Sequence, residues 1–275
     1  MIKRRIILNI RKFLLPLIVG RSSNTSTIYH CCIQKTATQW FRMLFGDEII
    51  RKKTGFRLYT PGENFITGEE DILKNLKYIP SGVIVSPFYI SFDNFVQFVQ
   101  DQSYRAFYIT RDPRDIIISS YFSLKYSHAN RHDYVNKNRK ELELLSEHDG
   151  ITKIIVNIAS FISEIMYQWK QAENDNIKIY KFENVFGPDQ VDQINEIFAH
   201  CRLHLSREEI ESLCEIYSFD RISGRKQGTE DQKHHYRKGV SGDWKNYFSD
   251  EHKQTFINQT GELLIGLGYE TDLNW

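Results

Sequence analysis

The sequence has no glycine-rich phosphate loop. None of its 15 glycines falls in a Gly-x-x-x-x-Gly-Lys-Ser/Thr run, so the usual ATP-binding loop is excluded. Cysteine is scarce, and Cys31, Cys32, Cys201 and Cys214 form no Cys-x-x-Cys pair. This argues against a disulfide framework and for reduced, buried thiols in a cytoplasmic protein. His200, Cys201 and His204 could share one helix face, but a second ligand pair at zinc spacing is missing, and no metal site is expected. Only six prolines interrupt the chain, with no Pro/Gly/Ser linker and no internal repeat. Charge of one sign is also lacking. With 36 Lys+Arg against 35 Asp+Glu the net charge is +1, so no global field points to nucleic acid, and any anion site must be local.

Residues 1–24 form a basic and apolar segment. Lys3, Arg4, Arg5, Arg11 and Lys12 lead into an apolar run, Phe13 to Gly20. That run falls short of the roughly 20 residues that span a bilayer. No transmembrane segment is expected, only packing on the protein or weak contact with a membrane surface. Residues 25–275 then read as one α/β domain. Buried-strand patterns recur at Thr27–Ile33, Gly82–Ser86, Arg105–Thr110 and Ile177–Phe182. Helical patterns follow Thr38, cover Phe92–Gln102, begin near Asp112, cover Ile151–Glu173, and start at a capping box, Ser206 to Glu209. Strands alternating with helices imply an open, P-loop-like parallel sheet with helices on both faces, and ligands at the carboxyl ends of its strands.

Three segments at such strand ends carry chemistry. In Ile33-Gln-Lys-Thr-Ala-Thr-Gln-Trp40 a strand enters a polar turn and a helix opens at once. Helix-start amides, hydroxyls and Lys35 together suit a phosphate, although an ordinary strand–turn–helix with a solvated lysine reads the same way. In Arg111-Asp-Pro-Arg-Asp115, Arg111 leaves a strand end and Ser119 lies two turns along the next helix. That pairing suits a dianionic phosphate, unless Arg111 simply pairs with Asp112 or Asp115. In Tyr236-Arg-Lys-Gly-Val-Ser-Gly-Asp-Trp-Lys245, two cations precede a glycine that permits close backbone approach to an anion. A solvated basic loop is the plainer alternative.

The order and type of these segments resemble the PAPS-dependent sulfotransferases, in their cytosolic, small-molecule branch (PAPS is 3′-phosphoadenosine-5′-phosphosulfate). The late Arg-Lys-Gly-x-x-Gly-Asp-Trp-Lys run, Arg237 to Lys245, carries the resemblance most specifically. It implies that Lys35 and residues Thr36, Ala37, Thr38 and Gln39 hold the 5′-phosphosulfate. Trp40 and Phe219 would sandwich adenine, with Ser218 beside it and Tyr180 at its edge. Arg111, Ser119, Arg237, Lys238 and Gly239 would grip the 3′-phosphate. It further implies in-line sulfuryl transfer without a metal, Lys35 stabilising the departing phosphate of the product PAP.

Two departures accompany the resemblance. The family's catalytic histidine lies in Lys-Thr-His-Leu-Pro, and the corresponding Val83–Ile90 has no histidine. His128, Asp47, Glu48 and Glu63 are the alternative proton acceptors. The family's dimer motif falls on Lys245–Gln254, where Asp250 replaces an apolar residue, so a monomer or a differently built dimer is expected. The acceptor is read as a small molecule, in the manner of bacterial, including cyanobacterial, enzymes that tailor natural products. For a cationic acceptor, Glu48, Glu63, Tyr89 and Tyr126 would supply the walls. A catalytically silent PAPS-binding or membrane-associated protein and a carbohydrate sulfotransferase are the alternatives.

Overall fold

The computed structural model describes residues 26–61, 79–100, 102–128 and 133–275. The 1–24 segment and Glu63 lie outside them. Five strands, β1 (Thr27–Cys32), β2 (Leu58–Tyr59), β3 (Ile84–Tyr89), β4 (Tyr104–Thr110) and β5 (Ile177–Lys181), form one sheet in the order β2-β3-β1-β4-β5. Every pairing is parallel. Side chains of β1 and β4 alternate between two cores, as strand geometry requires. Tyr29, Cys31, Ala106 and Tyr108 face one core; Ile28, Phe107 and Ile109 face the other.

Helices cover both faces. On the second face lie α1 (Thr38–Gly46), α2 (Glu48–Thr54), α8 (Gln190–His200) and α9 (Arg207–Ile216), which contribute Phe41, Ile50, Ile197 and Leu213. On the first lie α3 (Phe92–Phe98), α4 (Pro113–Phe122), α6 (Glu147–Lys170), α11 (Asp250–Thr260) and α12 (Leu263–Leu267). Helix α5 (Asp133–Leu144) adds Leu142 to the first core, while α7 (Phe182–Val185) adds Val185 to the second and α10 (Phe219–Ser223) packs Ile222 against it. By length and composition α6 would suit a membrane, but its Ile151, Ile154, Ile155, Ala159, Ile162, Met166 and Trp169 are buried in the first core. Trp169 stacks on Tyr108 at 4.8 Å and donates to the Ile90 carbonyl at 3.1 Å. It is a core helix.

Several expected boundaries shift, α3 ending at Phe98 rather than Gln102 and α6 at Lys170 rather than Glu173. Helix α6 starts at Glu147 rather than Ile151, because the Ser146 side chain accepts from the Asp149 amide and caps it. Strand β3 runs three residues past the expected Ser86. Its pairing with β1 steps from Val85–Tyr29 to Phe88–Cys31, so Ser86 and Pro87 together oppose His30. A proline has no amide to give a ladder, and a bulge is where a strand tolerates it. The two-residue β2 offers too little pattern to be read from sequence. All four cysteines are free and buried, and His200 Nε2 bonds the Ala106 carbonyl at 2.9 Å.

Candidate active site

The carboxyl ends of β1, β4 and β5 open onto one cleft, and three loops enter it. After β1 the chain turns through Lys35 (φ 69°) and Ala37 (φ 60°), both left-handed, before α1 starts at Thr38. A left-handed conformation costs a non-glycine residue about 1–2 kcal/mol. Thr36 Oγ1 holds the turn by donating to the Ile33 carbonyl at 2.7 Å, and the Tyr89 hydroxyl donates to Thr38 Oγ1 at 3.3 Å. The result is a concave run of backbone amides at a helix start, aimed out of the strand end.

Lys35 is half-buried there. Burial first, and then the Arg111 and Arg237 guanidiniums, push its pKa down to about 8. No carboxylate among the described residues offsets those cations at Lys35.

Arg111 leaves β4 and lies 4.3 Å over the Phe182 ring, with one Nη donating to the Lys35 carbonyl at 2.8 Å. Its Nε is buried without a partner, a donor aimed at something the protein does not supply. Of the two alternative pairings, Asp115 makes a long ion pair with the other Nη at 3.9 Å and Asp112 is taken up by Arg114, and neither reaches Nε. Asp112 caps α4 and grips the buried Arg114, which stacks 3.8 Å over Trp244 and pairs with Glu270. The Glu183 carboxylate accepts from the Asp112 amide at 2.9 Å, and burial pushes its pKa up. These contacts fix the strand end from beneath.

On α4, Asp115, Ser119 and Phe122 share one face by helical spacing. Asp115 accepts from the Gly242 amide at 2.7 Å and the Trp244 amide at 3.0 Å, docking the late basic loop onto that face. The Arg237 guanidinium lies 4.5 Å over the Phe122 ring, so half-buried Ser119 opens toward it. Arg237 also pairs with Asp243 and Glu230, and Lys238 binds Asp243 at 2.6 Å. Burial pushes the Asp243 carboxyl up, but the bonds from Lys238, Arg237 and Asn246 outweigh it and hold the pKa below the ordinary value.

Gly239 has φ +70°, and a Cβ there would lie 2.3 Å from the Phe219 ring. Only glycine permits this stacking of backbone on ring. Trp40 is 6% exposed; its indole donates to the Tyr217 carbonyl at 2.7 Å and so tethers the segment bearing Ser218 and Phe219. Tyr180 is buried against Phe107, its hydroxyl without a partner and its pKa raised by burial.

The acidic candidates are occupied elsewhere. Asp47 caps α2 and accepts the Tyr217 hydroxyl at 2.7 Å. Glu48 is exposed, and its pairs with Lys52 and Arg51 hold its pKa down, the wrong direction for a base at neutral pH. His128 ends the π-helical turn Ser123–Ser127 that continues α4; its amide donates to the Ser123 carbonyl at 2.7 Å.

Sequence reasoning missed Phe182 beneath Arg111, and Asp115 and Asp243 as the clasps of the basic loop.

A sulfotransferase-domain family model matches residues 48–268, most of the chain. A curated protein from Flaveria bidentis described as flavonol sulfotransferase-like is 24% identical, covering 88% of this chain and 83% of its own length. The solved mouse sulfotransferase SULT7A1 complexed with PAP superposes with a TM-score of 0.64 at 18% identity, covering 93% of this chain and 92% of that one. Retinol dehydratase in complex with retinol and PAP gives 0.55 at 17% identity, over 92% and 86%. The same enzyme with androsterone and PAP gives 0.53 at 18% identity, over 92% and 85%. With the family model spanning the sheet from β2 onward and the basic loop, the chain belongs to the sulfotransferase family.

Proposed function

We propose that the protein transfers a sulfuryl group from PAPS to a hydroxyl, or to an amine or amide nitrogen, of a small molecule. One observation carries the reading: Arg111 reaches the Lys35 turn with its Nε buried and unpartnered, and burial first, then the Arg111 and Arg237 guanidiniums, lower the Lys35 pKa to about 8. Such a cluster is unfavourable until an anion fills it. The solved neighbours hold PAP, and retinol dehydratase holds it beside androsterone or retinol.

In this reading the amides of Thr36–Gln39 and the Lys35 ammonium hold the 5′-phosphosulfate. Arg111 Nε, Ser119, Arg237, Lys238 and the Gly239 amide take the 3′-phosphate. Adenine lies on the Phe219 ring, with Ser218 beside it, Trp40 behind the segment and Tyr180 at the edge. Charge builds on the departing phosphate oxygen during transfer, so the Lys35 cation lowers the barrier more than it tightens ground-state binding. No residue in this scheme calls for a metal.

On the acceptor side, Tyr89 and Tyr126 suit a small aromatic or cationic molecule, in keeping with a bacterial natural-product enzyme. Four buried free thiols fit a reducing cytoplasm.

Isothermal titration with PAP and 5′-AMP tests donor binding, PAP being expected to bind far more tightly. Incubation with PAPS and a panel of acceptors, read by mass spectrometry for the gain of one SO3, tests transfer. A protein that binds PAP but never consumes PAPS is a silent binding protein, and the enzymatic reading fails.

A further inference from the structure

We propose that Asp47 is a positioning residue rather than a proton acceptor. Together with Tyr217 it fixes the spacing between the adenine platform and the turn that takes the 5′-phosphosulfate. The inference rests on the sulfuryl-transfer reading and its placement of PAP.

In that placement the nucleotide touches two bodies of the protein. The first is the turn from Lys35 to Thr38 with α1, which opens from it. The second is the Ser218–Phe219 segment at the start of α10, together with the basic loop. This second body is joined internally. Phe219 packs so closely on Gly239 that a Cβ there would lie 2.3 Å from the ring. The Gln227 side chain donates to the Gly239 carbonyl at 2.5 Å, and the Gln227 amide donates to Asp220 Oδ1 at 2.7 Å.

Tyr217, directly before that segment, ties it to α1 twice. Its carbonyl accepts from the Trp40 indole at 2.7 Å, and its hydroxyl donates to Asp47 Oδ2 at 2.7 Å. Trp40 lies inside α1 and Asp47 just past its end, about two turns on and so along the same face. The other Asp47 oxygen accepts from the Ile49 amide at 2.8 Å and caps α2. One carboxylate thus holds both the junction of α1 with α2 and the residue that leads into the adenine segment. Burial first, and then Asp47, push the Tyr217 pKa up to about 12, so the phenol stays a donor at neutral pH.

A ligand that bridges two bodies gains most when their spacing is set before it binds. PAP spans both, through its adenine and its 5′-phosphate. Adenosine 3′-monophosphate has no 5′-phosphate and needs only the second body. A hydrogen bond from a phenol to a carboxylate belongs to the stronger class, and without it the segment keeps its place for only a fraction of the time. Apparent PAP affinity then falls in proportion to that fraction. The Trp40 bond to the carbonyl remains, which limits the loss.

The test is isothermal titration of the full chain with PAP and with adenosine 3′-monophosphate. Y217F removes only the hydroxyl. D47S keeps a good N-cap for α2 but is too short to reach Tyr217. Each is expected to weaken PAP about tenfold, with adenosine 3′-monophosphate held within about twofold and the double variant D47S/Y217F no worse than either single one. A loss of the same size for both nucleotides would reduce the contact to general packing of the pocket and overturn the proposal. Unchanged PAP affinity, or losses that add in the double variant, would overturn it equally. If calorimetry shows that D47S does not fold, Y217F against the two nucleotides decides alone. Wild type that does not bind PAP defeats the donor reading itself; wild type that binds PAP, with Y217F unchanged, defeats only this assignment.

Discussion

In the turn after β1, backbone geometry shapes the site and the cation stands uncompensated. Lys35 and Ala37 adopt left-handed conformations, and the lysine loses solvation beside two guanidiniums. In the loop from Arg237 to Trp244, side chains do the shaping and the cations are neutralised in advance. Asp243 binds both Arg237 and Lys238, Glu230 binds Arg237, and Asp115 clamps the backbone at Gly242 and Trp244. An anchor that holds the same phosphate throughout a reaction can have its charges fixed beforehand. A cation that must answer charge appearing only in the transition state gains from having no other partner.

Removing the uncompensated cation should have the largest effect. Lys35→Ala is expected to lower turnover 10²–10³-fold, about 2.7–4 kcal/mol, while calorimetry shows PAP affinity falling much less. Equal losses in binding and turnover would make Lys35 an anchor like the others and erase the contrast.

Next in size is the clasp. Asp243→Asn removes the buried carboxylate that Arg237 and Lys238 share and leaves Arg237 only the Glu230 carboxylate, a loss of about 3 kcal/mol for a buried pair broken on one side. For a chain of this length that lowers Tm by about 6–12 °C, readable by calorimetry. The low Asp243 pKa has a sign: its contribution is present above the ordinary carboxylate pKa of 3.8 and is lost as pH falls through the folded value.

Arg111→Ala should weaken PAP by about 1.5–3 kcal/mol and 5′-AMP little, because only PAP carries the group assigned to the buried Nε. Equal weakening of both nucleotides would mean that Arg111 acts only through the Lys35 carbonyl.

The smallest effect is a pH slope. The Lys35 pKa, lowered from 10.5 to about 8, penalises the charged form in the free protein. That penalty on stability is present below about pH 8 and relaxes as pH rises toward 10.5. Where the charged lysine binds PAP better than the neutral one, affinity should fall above about pH 8, by no more in total than Lys35→Ala itself costs, and Lys35→Ala should abolish the slope.

Much of this was legible in the sequence. The alternation of apolar runs with helical periods gave the parallel sheet, and Ser206-Arg-Glu-Glu209 does form a capping box on α9. Pro113 stands in the first turn of α4, as its fixed φ allows. The three cation-bearing segments were recognisable because each couples a strand end or loop to cations and small residues within a few positions. The clasps were not. Asp115 meets Gly242 and Trp244 across well over a hundred residues, and Trp40 reaches Tyr217 across as many. Nor could composition show that Asp47 is spent on a helix cap and on Tyr217, while Glu48 is held by neighbours on its own helix.

The sequence by itself determined the elements, the two-faced core, the clustering of cations in three short segments and the departure at the usual histidine. All of these depend on residues near one another in the chain, where spacing alone fixes geometry. Tertiary structure decided which carboxylates are consumed, and that Arg111 and Arg237 both act on Lys35 with no carboxylate beside it among the described residues. Charge pairing depends on distance in space. Only the parallel sheet, by setting the ends of β1 and β4 side by side, brings those distances within reach.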